Sequence, residues 1–236
     1  MARVLLTGSS GGVGRAARPV LEAAGWVVEP FDLTDGKDLC DEAAVLGAMT
    51  GCEAVVHAGA IAHDTAGTPA DIVATNVLGT WHVLQAAQTH QVSRVVYFSS
   101  CQVFGFAEGE GTPAYLPVDD AHPLRAARPY GMSKRLAEEM CAAWTSRTGI
   151  PTIVLRPVMI LSDAALRQVS ETEAELGAFV HVDDVAAAII RALSLQPDGH
   201  VRLTLCGPGP FDTSAARQIL GWTPTRTWPS RAPSGS

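Results

Sequence analysis

Tyr130 and Lys134 stand four residues apart in the stretch ARPYGMSKRLAEE, residues 127–139. The chain has 17 basic residues, yet only Lys37 and Lys134 are lysines, and it has only 3 tyrosines. On a helix, positions i and i+4 share a face, so phenol and ammonium can point into one cleft. A phenol titrates near pH ~10. A neighbouring ammonium favours the phenolate and lowers that value. Such a tyrosine can exchange a proton with a substrate alcohol while hydride moves to or from a nicotinamide. A slim ammonium can also donate to the nicotinamide ribose, which arginine's broad fork suits less well.

Ser99 and Ser100 close the apolar run VVYFSS. Ligands bind at the carboxyl ends of strands in an open α/β sheet, and a hydroxyl there can bond the reacting oxygen. Upstream, LLTGSSGGVGRA spaces Gly8, Gly11 and Gly14 as G-x-x-G-x-x-G. Glycines there permit a tight turn, and a following helix N-terminus offers N–H groups to a pyrophosphate. Asp32 ends the next apolar run. A carboxylate at that point accepts both adenosine-ribose hydroxyls and repels a 2′-phosphate, which favours NAD over NADP. Asn76, the sole asparagine, sits in a helical run. It is a poor helix former, so it binds backbone or cofactor, or else faces solvent.

The elements needed to place these groups can be read along the chain. Strands are expected at 3–8, 26–32, 54–60, 94–100 and 151–157, with helices at 12–25, 41–51, 69–90 and about 129–148. Pro19 should kink the first helix. This alternation predicts right-handed βαβ units and a doubly wound parallel sheet. Beyond Pro157, helices are expected over 163–175, 183–195 and 212–222, and a strand over 200–207. The implied division is a nucleotide-binding core at 1–157, a small substrate-binding part at 158–224 and a frayed tail at 225–236. Asp183 is expected to cap a helix, and His57 and Cys101 to serve packing.

A hydrophobic share of 47% against 17% charged residues indicates a globular chain. The net charge of −7 argues against nucleic acid and anionic membrane surfaces as partners. No apolar run approaches the ~18 residues of a membrane span. The N-terminal apolar stretch runs straight into the glycine turn, unlike a leader peptide. The 5 cysteines show no metal-ligand spacing and read as reduced thiols of a cytoplasmic protein, with no metal site expected.

Taken together, TGSSGGVG, KDL, VVHAGA, NVLGTWHVLQAA, FSSCQVFG, YGMSK, LRPVMI and FVHVDDVAAAI resemble the extended short-chain dehydrogenase/reductases, the NAD-dependent epimerase/dehydratase family, over residues 3–224. The resemblance implies a Rossmann fold with a small C-terminal substrate-binding lobe. It implies Ser100, Tyr130 and Lys134 as the catalytic set. Gly8, Gly11, Gly12, Val13 and Gly14 would hold NAD, together with Asp32, Asp38 and Leu39. Ala58, Gly59, Ala60, Asn76, Pro157 and Val158 would complete the cofactor site with Tyr130 and Lys134. Asp38 would read the adenine amino group. The family's dimer-forming helices correspond to 68–91 and the Tyr130 helix, so a homodimer is expected.

Within the family, TGSSGGVGRAARPVL is similar to the start of the uronate dehydrogenases. Ser100, Gln102 and Arg167 are then the candidate substrate contacts. Cys101-Gln102 stands where sugar-nucleotide dehydratases carry an Asp-Glu pair, so water elimination lacks its acid and base. The expected activity is hydride transfer between NAD and a secondary alcohol or hemiacetal of a small polar, sugar-like or sugar-acid-like substrate. The alternatives are an NAD-retaining nucleotide-sugar epimerase and a non-catalytic NAD-binding regulator.

Overall fold

The computed structural model describes residues 1–106, 111–166, 168 and 178–226. Its centre is a six-stranded, wholly parallel sheet in the order β2-β1-β3-β4-β5-β8. The strands are β1 (Arg3–Thr7), β2 (Val27–Phe31), β3 (Ala54–His57), β4 (Val95–Phe98), β5 (Thr152–Pro157) and β8 (His200–Leu205). The order reverses between β1 and β3, so a crevice opens above their carboxyl ends. The doubly wound sheet expected from the sequence is the one observed.

Successive strand residues point to opposite faces, and both faces are apolar. Val4, Leu6, Val56, Val96, Ile153 and Leu155 pack on α1 (Gly12–Ala23) and on α7 (Val182–Ser194). Leu5, Val55, Val95, Tyr97 and Val154 pack on α2 (Glu42–Ala48), α4 (Gly79–Thr89) and α5 (Pro129–Thr148). The helix α1 continues through Pro19, which lies on its exposed side.

The helix expected over 69–90 has three parts: α3 (Pro69–Val73), a π-helical turn over Ala74–Leu78, and α4. Thr68 opens it with a reciprocal capping box to Asp71, and Pro69 takes the first helical position. A π turn is not encoded in apolar spacing, so the sequence pattern reads straight through it.

The C-terminal part departs further from expectation. β8 is the edge strand of the main sheet, and α7 packs against α1. Residues after 157 therefore complete the core. A second, two-stranded parallel sheet pairs β6 (Met159–Leu161) with β7 (Phe179–His181). Strands this short carry no readable period. Of the helix expected over 163–175, α6 (Asp163–Leu166) is described; the rest lies outside the described residues. The cap of α7 is the ring of His181, which accepts the Asp183 N–H; Asp183 itself is not the cap. After α8 (Ser214–Leu220), the expected tail begins tethered. The Asp184 carboxylate accepts the N–H groups of Thr225 and Arg226 and the Thr225 hydroxyl. Residues 227–236 of the expected tail lie outside the described residues.

Candidate active site

The turn after β1 is built by steric need. Gly8 has φ +68°, and a Cβ on it would lie 2.7 Å from the Gly59 Cα. A Cβ on Gly14 would lie 2.2 Å from the Gly8 carbonyl oxygen. Gly14 therefore serves close packing of helix on turn. The helix α1 begins at Gly12 with no side-chain cap and no acidic residue in its first turn. Its leading N–H groups lack intrahelical acceptors.

This helix end opens on a cleft of about 540 Å³. Gly8, Gly11, Gly12 and Val13 form one side. Asp32, Asp38 and Leu39 form another, and Ala58, Gly59 and Ala60 the floor. The Asp32 carboxylate is already committed to its own turn. Oδ1 accepts the Thr34 N–H and hydroxyl at 3.0 and 2.9 Å, and Oδ2 accepts the Ser10 N–H at 3.0 Å. Burial alone pushes its pKa up, but these bonds, with the Arg15 charge, hold it below the usual carboxylate value. Of its roughly four lone-pair sites three are taken. It has room for one further hydroxyl, and accepting both ribose hydroxyls requires Thr34 to let go.

A second depression of about 780 Å³ shares Val13, Ala58, Ala60 and Ala62 with the first, so the two adjoin. Ser100, Gln102, Tyr130, Lys134, Pro157 and Val158 line it, as the sequence expects. Phe106 and Phe211 add an aromatic wall, their ring centroids 6.2 Å apart. Arg167 lies outside the described residues.

Tyr130 and Lys134 lie one turn apart on α5, with Nζ 5.9 Å from the phenol ring centroid. Nζ donates to the Phe98 carbonyl at 2.7 Å and sits 5.1 Å from the Tyr97 ring centroid. The expected lowering of the Tyr130 pKa is not found. Burial pushes the phenol up to about 12, against the opposing hydrogen bond with Ser100. Burial likewise drives the Lys134 amine down to about 8, with the Glu138 charge resisting. Desolvation is the largest influence on both side chains, which are 7% and 3% exposed. Cys101 beside Ser100 is raised to about 11 by burial and is a packing thiol.

Asn76 does not line either depression. Its Oδ1 accepts the Ile61 N–H, and its Nδ2 donates to the Ile61 carbonyl and the Ser133 hydroxyl. It clamps the wall of the cleft to α5, the backbone-binding alternative among those the sequence left open. His57 is structural, as expected. Thr80 donates its hydroxyl proton to the Asn76 carbonyl, so it accepts from His57 Nε2. With the single proton of a neutral ring on Nε2, Nδ1 accepts from the Thr7 hydroxyl, whose oxygen also accepts the Gly59 N–H. The network assigns the Nε2–H tautomer of a neutral ring, whose pKa burial lowers to about 3.

Sequence reading missed the support beneath Ser100. Ser99 Oγ donates to Glu138 Oε1, and both Glu138 oxygens hold Arg156. Glu138 lies one turn beyond Lys134, so a one-turn periodicity search from that lysine would have found it. The pairing with Arg156, on β5, has no local signal.

Comparison with known proteins follows the same lines. The sequence model of the NAD dependent epimerase/dehydratase family matches residues 4–203. The uronate dehydrogenase of Pseudomonas syringae pv. tomato is 28% identical over 84% of this chain and 72% of its own length. That of Pseudomonas putida is 30% identical over 65% of this chain and 59% of its own length. Among solved structures, a short-chain dehydrogenase/reductase superfamily protein of Agrobacterium tumefaciens with bound NAD has a TM-score of 0.79 and 26% identity, covering 96% of this chain and 93% of that one.

Proposed function

Since the chain belongs to the NAD dependent epimerase/dehydratase family, we propose that it is an NAD-dependent dehydrogenase of a small sugar acid. The observation that carries this reading is the convergence of Ser100, Tyr130 and Lys134 on a depression adjoining the glycine-turn cleft. The uronate dehydrogenases at 28% and 30% identity support a sugar acid as the substrate class.

NAD fits the residues present. The uncapped first turn of α1 would hold the pyrophosphate. Asp32 would hold an adenosine-ribose hydroxyl and Asp38 the adenine end. When bound there, NAD supplies the hydride acceptor. Ser100 would orient the substrate hydroxyl by hydrogen bonding, and Tyr130, in its phenolate form, would take the hydroxyl proton as hydride departs. Lys134 would hold the nicotinamide ribose and favour the phenolate while Tyr130 is deprotonated. Gln102 would bond the substrate's hydroxyls, and Arg167 is the proposed partner of its carboxylate. Phe106 and Phe211 would cover the ring's C–H face and exclude water.

Uronic acids, aldoses and nucleotide sugars offered with NAD test this proposal. Net NADH with a uronic acid supports it. Interconversion of nucleotide sugars with no net NADH would replace it with the epimerase reading. A homodimer through α3, α4 and α5 is also proposed, since Val73, Leu78, Trp81 and Leu136 are exposed there. Sedimentation of the Trp81→Glu variant as a monomer would support that face, and an unchanged dimer would exclude it.

A further inference from the structure

We propose that Asp64 is a positioning residue for Tyr130, tying the wall of the substrate depression to the first turn of the catalytic helix. The proposal rests on the acid–base role given to Tyr130 above. The helix α5 starts without a side-chain cap from Arg128, and Pro129 in its first position has no N–H to offer. Its first free donor is the amide of Tyr130. That amide gives its proton to Asp64 Oδ1 at 2.7 Å, across 66 residues of sequence.

Asp64 belongs to the segment between β3 and α3, whose Ala60, Ala62 and His63 line the same depression as Ser100 and Tyr130. One carboxylate thus fixes the backbone of the catalytic residue relative to the surface that faces the substrate. Asn76 holds the same segment from behind through Ile61, and it reaches α5 through Ser133. The helix α5 is therefore held to this wall at two points: the Asn76 route ends on the Tyr130 carbonyl, which accepts the Ser133 hydroxyl at 2.7 Å, and Asp64 takes the Tyr130 amide.

The contact has an electrostatic consequence. The groups facing Tyr130 are Asp64 from this segment, Ser100 and Cys101 after β4, Tyr97 on β4, and Lys134 on its own helix. After burial and the opposing Ser100 bond, the charges of Cys101 and Asp64 add to the upward push on the phenol. A carboxylate here therefore does two separable things: it places the phenol, and it holds its proton more tightly.

Asp64→Asn keeps the acceptor oxygen and removes the charge, whereas Asp64→Ala removes both. Each variant is compared with wild type, saturated with NAD, in kcat, KM and the pH profile of kcat. The ¹³C resonance of the Tyr130 ring, identified by its loss in Tyr130→Phe, is titrated alongside. Asp64→Ala is expected to lower kcat by about 10–10²-fold, as sub-ångström to ångström misplacement does, with NAD affinity unchanged. Asp64→Asn is expected to recover most of that kcat. In both variants the onset of Tyr130 ionisation moves to lower pH. A Tyr130 titration unchanged in both, or an Asp64→Asn variant as impaired as Asp64→Ala, would overturn the proposal. If Asp64→Ala does not fold, the Asp64→Asn titration decides alone. Normal turnover in Tyr130→Phe would instead sink the acid–base reading while leaving the resonance shift intact, so the two failures are distinguishable.

Discussion

Glu138 grips Arg156 with both carboxylate oxygens, Oε1 to Nε at 2.9 Å and Oε2 to Nη2 at 2.6 Å, and both side chains are fully buried. The same carboxylate receives the Ser99 hydroxyl at 2.5 Å. One acid on α5 thereby locks the ends of β4 and β5 beneath Ser100. Removing one partner of such a pair leaves an unpaired buried charge, which typically costs ~3–5 kcal/mol. Glu138→Ala should lose stability of about that size in urea unfolding. Glu138→Leu combined with Arg156→Met should lose much less, since neither charge is then stranded. Equal losses in both would show that the pair's geometry, and not its charge, holds the strands.

Lys134 predicts a pH signature in the unliganded protein. Its amine titrates near 8 in the fold against 10.5 in the unfolded chain. Between those values the unfolded chain holds more protons, so this group's contribution to stability rises with pH across the window and is least favourable below 8. Lys134→Met should therefore raise the melting temperature at pH 7, and the gain should shrink towards pH 10. A gain independent of pH would mean that the amine is not titrating there.

His57 gives the acid limb. Its ring titrates near 3 in the fold against 6.5 in the unfolded chain. Above pH 6.5 both states are neutral. As pH falls from 6.5 towards 3, the unfolded chain gains a proton that the folded ring refuses, and stability is lost. Nitrogen–proton correlation spectra should find His57 neutral at pH 5 with its proton on Nε2. A doubly protonated ring at that pH would contradict the closed chain from Thr7 to the Asn76 carbonyl.

Legibility in the sequence followed the range of the physical effect. Strand–helix alternation is local, so the order and the parallel sheet could be read from apolar runs such as RVLLT and AVVH. The glycine turn was legible because Gly8 and Gly14 answer to steric demands within the turn itself. Ser100, Tyr130 and Lys134 came together as their strand-end and i, i+4 positions require. The pKa of Tyr130 was misjudged because spacing reveals a neighbouring charge but not burial, and burial is the larger effect here. Asn76, Asp64 and Arg156 act through partners 15, 66 and 18 residues away. No local pattern encodes those pairings.

Asp32 is the residue proposed to set the choice of cofactor. Its free lone pair suits one ribose hydroxyl, and its charge opposes a 2′-phosphate. NAD should bind more tightly than NADP, and Asp32→Ala should narrow the gap in titration calorimetry. That variant also frees Thr34 and the Ser10 amide, so it should weaken NAD as well as admit NADP. Equal affinity for both cofactors in the wild type would remove Asp32 from this role.

The central claim is that Tyr130 transfers the proton when a sugar-acid hydroxyl is oxidised by NAD. Tyr130→Phe deletes one oxygen from a side chain only 7% exposed and leaves its packing in place. The direct measurement is turnover of Tyr130→Phe on a uronic acid that the wild type oxidises, followed by NADH formation, with NAD affinity measured in parallel. Turnover should fall by ~10²–10⁴-fold, the usual worth of general acid–base catalysis, while NAD binds as before. Turnover within a few-fold of wild type, with NAD bound normally, would contradict the account.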